Sequence, residues 1–279
     1  MPPLRVIVLT SLAMIAFAAN SVLCRLALKD TGIDPATFTA VRLIAGALVL
    51  WLIVRIRSRD VPGSGNWWSA LALFAYAAAF SFAYVGLSAA AGALLLFGAV
   101  QVTMISHGLW SGERLTAPQS VGSVLAFAGL VGLVLPGLHA PPLKAAALML
   151  LAGIAWGIYS LRGKSSRDPT GVTAGNFLRA APMALLLLAL VPNRSFDSVG
   201  IGCALVSGAL TSGIGYAIWY ATLPALRAST AAVVQLTVPL IAALGGVVFI
   251  TESFTARLAI ASIAVIGGIA LVIARPRIP

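Results

Sequence analysis

Acidic residues are scarce in this chain: seven Asp and Glu stand against eighteen Lys and Arg in 279 residues. Charged side chains of both signs make up 9% of it, where a soluble domain carries about a quarter. That shortage excludes a globule covered by water. Charge is missing altogether from residues 61–112, 115–143 and 198–226. A membrane-spanning helix takes roughly 20 apolar residues, so each of these stretches holds one or two spans. Other absences exclude chemistry. Cys24 and Cys203 lie in apolar runs with no C-x-x-C spacing and no histidine cluster, so neither a metal site nor a disulfide is implied. The motifs GxxxxGK[ST], HExxH and GxSxG do not occur, which leaves no nucleotide-hydrolysing loop, no catalytic residue and no cofactor to expect. The net charge of +11 does not mark a nucleic-acid binder, because the basic residues gather at the ends of apolar segments, as loop anchors of membrane proteins do.

What is present is an all-α polytopic membrane protein. Splitting the apolar runs at charges, prolines and glycine-rich breaks predicts ten spans, near 6–28, 35–55, 68–88, 90–110, 117–137, 143–163, 172–192, 199–222, 229–250 and 256–275. The run after Arg5 continues through Leu28 without a cleavage pattern, so it reads as a retained first span. With the N-terminus in the cytoplasm, the inner side collects Arg5, Arg55, Arg57, Arg59, Arg114, the basic cluster at 162–167, Arg227, Arg275 and Arg277. The outer side then receives only Arg25, Lys29, Lys144, Arg194 and Arg257. That asymmetry places both termini inside.

Two of the few acids occupy similar places. "SGERLT" at 111–116 and "ITESFT" at 250–255 each follow a long apolar run, with Glu113 and Glu252 separated by 139 positions. At the same offset "IAFAANS" (15–21) meets "IAWGIYS" (154–160), and "VRLIAGAL" (41–48) meets "LRAAPMAL" (178–185) nearby, setting Arg42 opposite Arg179. The chain therefore divides into repeats at 1–139 and 140–279. Five spans per half is an odd number, so the second half enters the membrane from the opposite side. This predicts an inverted-topology repeat, the architecture of carriers that alternate access around a site near the midplane. Each glutamate is expected to cap or anchor an interfacial turn.

The segments "GERLT", "NSVLCRLAL", "TFTAVRLIAGALVL" and "TAAVVQLTVPLIAAL" resemble the drug/metabolite transporter superfamily in its form with two EamA domains. The overall sequence is similar to bacterial amino-acid exporters of the YddG type. The second corner departs from the pattern, reading "TESFT" where Gly-Glu is usual, and the fourth span lacks the proline that the ninth keeps as Pro239.

The candidate substrate contacts follow from polarity within the spans. Tyr76, Phe80 and Tyr84 recur every four residues and share a helix face, as do Tyr216 and Tyr220. With Phe17, Trp156 and Tyr159 they fall in spans one, three, six and eight, which are equivalent pairs under the repeat. Asn20, Ser81, Gln101 and Gln235 add neutral hydrogen-bonding groups. Arg42 and Arg179 lie within spans two and seven, where a lipid-facing arginine would cost at least ~2.5 kcal/mol. They are either structural ties or contacts for a carboxylate or phosphate. Trp67, Trp68 and Trp110 sit at span ends, as interfacial tryptophans do. No Asp or Glu falls inside a predicted span, so no carboxylate proton relay is expected.

These features and the resemblance imply a carrier in a bacterial inner membrane that exports small metabolites, foremost aromatic and other neutral amino acids, as a facilitator or exchanger. Phosphorylated metabolites or lipophilic drugs are the alternative cargo, and a polytopic membrane enzyme is the alternative from another class. The partners implied are the lipid bilayer and a small-molecule substrate, with no nucleic acid and no obligate protein partner.

Overall fold

The computed structural model describes residues 3–57, 64–110, 112, 116–135, 140–163, 168–192, 194–222, 225, 226, 234, 235 and 237–273. All regular structure among them is helical. The helices are α1 (Pro3–Asp30), α2 (Pro35–Arg57), α3 (Trp67–Tyr84), α4 (Ala89–Trp110), α5 (Ala117–Val134), α6 (Leu143–Gly163) and α7 (Pro169–Leu190). There follow α8 (Ser198–Val206), a π-helical stretch (Ser207–Ile214) and α9 (Gly215–Thr222), which run on as one rod of 25 residues, then α10 (Thr237–Ile250) and α11 (Ala256–Ile273). Seven of these rods are long and apolar enough to cross a bilayer, and α5, α10 and α11 are apolar but shorter. The expected ninth span, 229–250, begins among residues that lie mostly outside those described, so only its α10 portion is seen.

The helix starts explain where the rare acids went. Asp34 accepts hydrogen bonds from the backbone N–H groups of Ala36 and Thr37 at the start of α2. Asp168 does the same for Gly171 in α7, and Asp197 for Gly200 in α8. Glu252 accepts from the N–H of Ala89, the first residue of α4. A helix N-terminus presents unpaired N–H groups and a positive dipole end, so a carboxylate is well placed there. Neutral caps serve elsewhere: Asn66 for α3, and Thr116 with Gln119 as a capping box for α5.

Packing follows a two-fold pattern. The pairs α2–α7, α4–α10 and α5–α11 each join equivalent elements of the two halves. Contact of α3 with α6 is matched by contact of α1 with α8, the π-helical stretch and α9, and α4–α6 is matched by α1–α10. These are the pairings expected of two repeats related by a two-fold axis, as in inverted-repeat carriers. Lipid supplies little hydrophobic drive between helices, so close approach depends on small residues. At Gly208 a Cβ would lie 2.2 Å from the Arg42 carbonyl oxygen of α2, so only glycine lets the π-helical stretch sit this near. Apolar side chains such as Val121, Val124 and Phe127 of α5 face outward, toward lipid.

Candidate substrate site

Where the two halves meet, the buried rings form one continuous cluster. Phe17 of α1 lies edge-on to Tyr216 of α9 at 5.7 Å and to Trp156 of α6 at 6.3 Å. Trp156 packs against Tyr76 of α3 at 4.8 Å and Tyr216 at 4.9 Å, and Phe80 lies one turn along α3, 5.4 Å from Tyr76. Every one of these residues is buried. The space they enclose is small, about 10 Å³, enough for one water molecule at most. A cargo of any size therefore enters only when the rings separate.

A polar network backs the rings. Asn20 Oδ1 accepts from the hydroxyls of Ser207 (2.6 Å) and Thr211 (3.2 Å) on the π-helical stretch, while its Nδ2 donates to the Tyr76 hydroxyl at 3.4 Å. Tyr216 also donates to the Tyr76 hydroxyl, at 3.4 Å. Arg42 of α2, 1% exposed, donates from Nη2 to the same oxygen at 3.0 Å and from Nε to Ser212 Oγ at 3.1 Å. Its guanidinium lies against the faces of Tyr76 and Phe80, 5.2 and 4.9 Å from the ring centres. Nη1 is buried and has no hydrogen-bond partner among the described residues. π-Helical turns inside α-helices recur at functional sites, and here the turn brings Ser207, Thr211 and Ser212 together onto this network.

Side-chain contacts tie the helices together toward both ends of the cluster. At the end carrying the C-terminus of α1, Arg25 forms an ion pair with Glu252 (3.0 Å) and donates to the carbonyls of Tyr84 and Val85 at the end of α3. Lys29 donates to the Ile250 carbonyl at the end of α10. At the opposite end Arg162 of α6 donates to Ser69 and Asn66 at the start of α3, and Asn176 of α7 donates to Tyr159.

A family model describing the EamA-like transporter family matches residues 4–135 and again 143–274. The chain belongs to the EamA-like transporter family. Two matches in tandem also give the repeat seen in the packing. A Pseudomonas aeruginosa protein, uncharacterized protein PA1977, is 55% identical over 280 residues, covering 100% of this chain and 97% of that one. An uncharacterized transporter of Archaeoglobus fulgidus is 26% identical over 81% of this chain and 83% of its own length. The uncharacterized transporter YoaV of Bacillus subtilis is 23% identical over 85% of this chain and 86% of its own. A protein crystal structure superposes with a TM-score of 0.65 at 22% identity, covering 94% of this chain and 97% of that one, which is a likeness of fold.

The EamA fold thus brings Phe17, Asn20, Tyr76, Phe80, Trp156 and Tyr216 to one place. Ser81 is buried on α3 but bonds back to the Ala77 carbonyl, and the Tyr84 hydroxyl is turned to the Ala89 carbonyl where α3 passes into α4. Tyr159 and Tyr220 line a separate small polar space with Arg162 and Asn176. Gln235 is buried ahead of α10. Two candidates lie elsewhere. Gln101 faces a crevice between α4, α5 and α11, while Leu96, Ala99 and Thr103 are the α4 residues that meet Gly153 and Gly157 of α6. Arg179 is half-buried and donates to the carbonyls of Ser64 and Gly175, tying the segment before α3 to α7. The repeat set it opposite Arg42, yet the two arginines do different work. Glu113 lies outside the described residues.

Sequence reasoning passed over Ser207, Thr211 and Ser212. Their signal was three hydroxyls at spacings of four and one inside an apolar run, weaker than aromatic periodicity. It also counted Arg25 as a loop anchor and Arg162 as part of a basic cluster, because charge at a span end carries no mark of its partner.

Proposed function

We propose that this EamA-like transporter moves small metabolites, foremost aromatic and other neutral amino acids, out of a bacterial cell across the inner membrane. In this reading ten spans divide into repeats at 1–139 and 140–279, with both termini in the cytoplasm. The observation that carries it is the buried cluster at the junction of the halves, with aromatic rings on α1, α3, α6 and α9 backed by neutral hydrogen-bonding groups. Such rings accept flat apolar side chains, and the amides and hydroxyls accept polar main-chain groups. Among the described residues no carboxylate belongs to the cluster, so the reading is a facilitator or exchanger working down a gradient. Phosphorylated metabolites fit less well, because a phosphate dianion calls for several converging cations and the cluster holds one arginine.

The test is uptake of labelled amino acids into liposomes containing purified protein, with and without a pH gradient, beside Trp156→Ala. Uptake independent of the gradient and lost in Trp156→Ala is the expected result. Transport that runs only with an imposed pH gradient would overturn the facilitator mechanism, and no uptake of any amino acid would overturn the cargo.

A further inference from the structure

The network behind the rings has a surplus of donors. Three donors, from Arg42, Asn20 and Tyr216, converge on the single phenolic oxygen of Tyr76, and the Asn20 carbonyl oxygen is already occupied by Ser207 and Thr211. Arg42 Nη1 is left without an acceptor. No ion-pair partner of Arg42 occurs among the described residues, where Asp34, Asp168, Asp197 and Glu252 serve helix starts and Asp30 pairs with Lys29. A guanidinium held in a membrane interior at this cost marks a functional site. What would complete the network is an acceptor, and a negatively charged one would also supply the missing counter-charge.

We propose that Arg42 is the carboxylate-binding residue of the transported molecule. The inference rests on reading the central cluster as the substrate site. Nε already holds Ser212, so the carboxylate takes the end of the fork. One oxygen accepts from Nη1 and the other from Nη2, in the paired geometry that guanidinium offers and an ammonium does not. The Tyr76 hydroxyl, displaced from Nη2, turns to donate into the same carboxylate. This requires α3 and α6 to part enough for the Tyr76 and Trp156 rings to separate, because the closed cluster has no room. The remainder of the molecule then lies among the faces of Phe17, Trp156 and Tyr216, where an ammonium group also finds favourable ring contacts. A cation without a carboxylate would bring a second positive charge beside Arg42 and is refused. Recognition is thus by the acid group, and the ring cluster tolerates variation in the rest.

The experiment is a matched ligand series on purified full-length protein: phenylalanine, 3-phenylpropionate, phenylalaninamide and phenethylamine, with aliphatic acids and their amides alongside. Two readings are taken, competition against labelled phenylalanine in liposomes and the shift in unfolding midpoint in detergent. Phenylalanine and 3-phenylpropionate are expected to compete and to stabilise, while the amide and the amine do neither. Arg42→Gln should weaken the acids by on the order of tenfold to a hundredfold, the worth of a charge-assisted hydrogen bond, and erase the difference between acids and amides. Arg42→Lys should restore part of it. A structural tie alone would lower stability and leave the acid-to-amide ratio unchanged. Amides or amines that bind as well as the acids would overturn the proposal without need of a variant, as would a midpoint that no carboxylate moves. Stabilisation by acids as a class with no amino-acid transport would leave Arg42 in this role and refute the amino-acid cargo instead.

Discussion

Arg25 and Glu252 stand 227 positions apart and meet in a 3.0 Å ion pair at the end of the bundle where α1, α3, α4 and α10 come together. Each partner also satisfies backbone groups: Glu252 the first N–H of α4, Arg25 the last carbonyls of α3. The pair is partly buried, so removing one member leaves the other short of a partner in a poorly solvated place. Glu252→Gln keeps the shape and one acceptor but loses the charge. Its expected cost is about 2 kcal/mol, read as a lower unfolding midpoint. The corner should also loosen. Cys24, fully buried one position before Arg25, is expected to react faster with a maleimide in Glu252→Gln than in the parent. Equal labelling rates would show that this clasp does not hold the corner closed.

Much of this was legible in the sequence, and the legible part has a common cause. Apolar runs, the tandem repeat and the aromatic periodicity of Tyr76 and Phe80 are one-dimensional signals, and they located the helices and most of the ring cluster. Pairings made in three dimensions were not legible. Nothing in "VSGALTSGIG" announces a π-helical turn, and nothing near Arg42 names Ser212, 170 positions away, as its partner. The repeat itself misled at one point, since Arg42 and Arg179 are matched in sequence yet only Arg42 reaches the centre. Its place after an apolar run marks Glu252 as an interfacial cap, and it does cap a helix, but the helix is α4, far away in the chain.

The Tyr76 hydroxyl is where the polar network closes, so Tyr76→Phe tests it with the smallest change. The ring and its packing against Trp156 remain, while Arg42 Nη2 and Asn20 Nδ2 lose their shared acceptor. Leaving buried donors unsatisfied costs about 1–3 kcal/mol. The unfolding midpoint should fall accordingly, and Ser212→Ala should cost less because it strands a single Arg42 donor. A neutral effect of Tyr76→Phe would mean that the donors find other partners when the hydroxyl is gone.

Asp34 links stability to pH. Burial by itself would raise its carboxyl, but hydrogen bonds from Thr37, Ser195 and Ala36 outweigh that and hold it below the ordinary carboxylate value of 3.8. The folded state therefore favours the ionised form. This contribution is complete above the unfolded value and is lost as pH falls through the lower, folded one. Asp34 ties the start of α2 to the segment before α8 through Ser195. Asp34→Asn keeps one capping oxygen but sets an amide NH2 where the other oxygen accepts from Ser195 N–H and the Thr37 hydroxyl, so it should lose about 1–3 kcal/mol at neutral pH, while flattening the acid limb of a midpoint-against-pH curve below pH ~4. An unchanged acid limb would assign that limb to other carboxyls.

The close approach of α2 and the π-helical stretch gives the last test, because it separates packing from propensity. Gly208→Ala places a methyl 2.2 Å from the Arg42 carbonyl oxygen and 2.9 Å from the Ala45 Cβ, neither of which is the end of a flexible side chain. The two elements must move apart, at a cost of about 1–3 kcal/mol, and Ser212 moves with them away from Arg42. Gly132→Ala on α5 is the control, since a Cβ there meets nothing within 4 Å and alanine is the better helix former by up to about 1 kcal/mol. The expected order of unfolding midpoints is Gly132→Ala at or above the parent, with Gly208→Ala well below it and impaired in transport. If Gly208→Ala unfolded at the parent's temperature with full transport, the contact between α2 and the π-helical stretch would be looser than its geometry shows, and Arg42 would not owe its position to it.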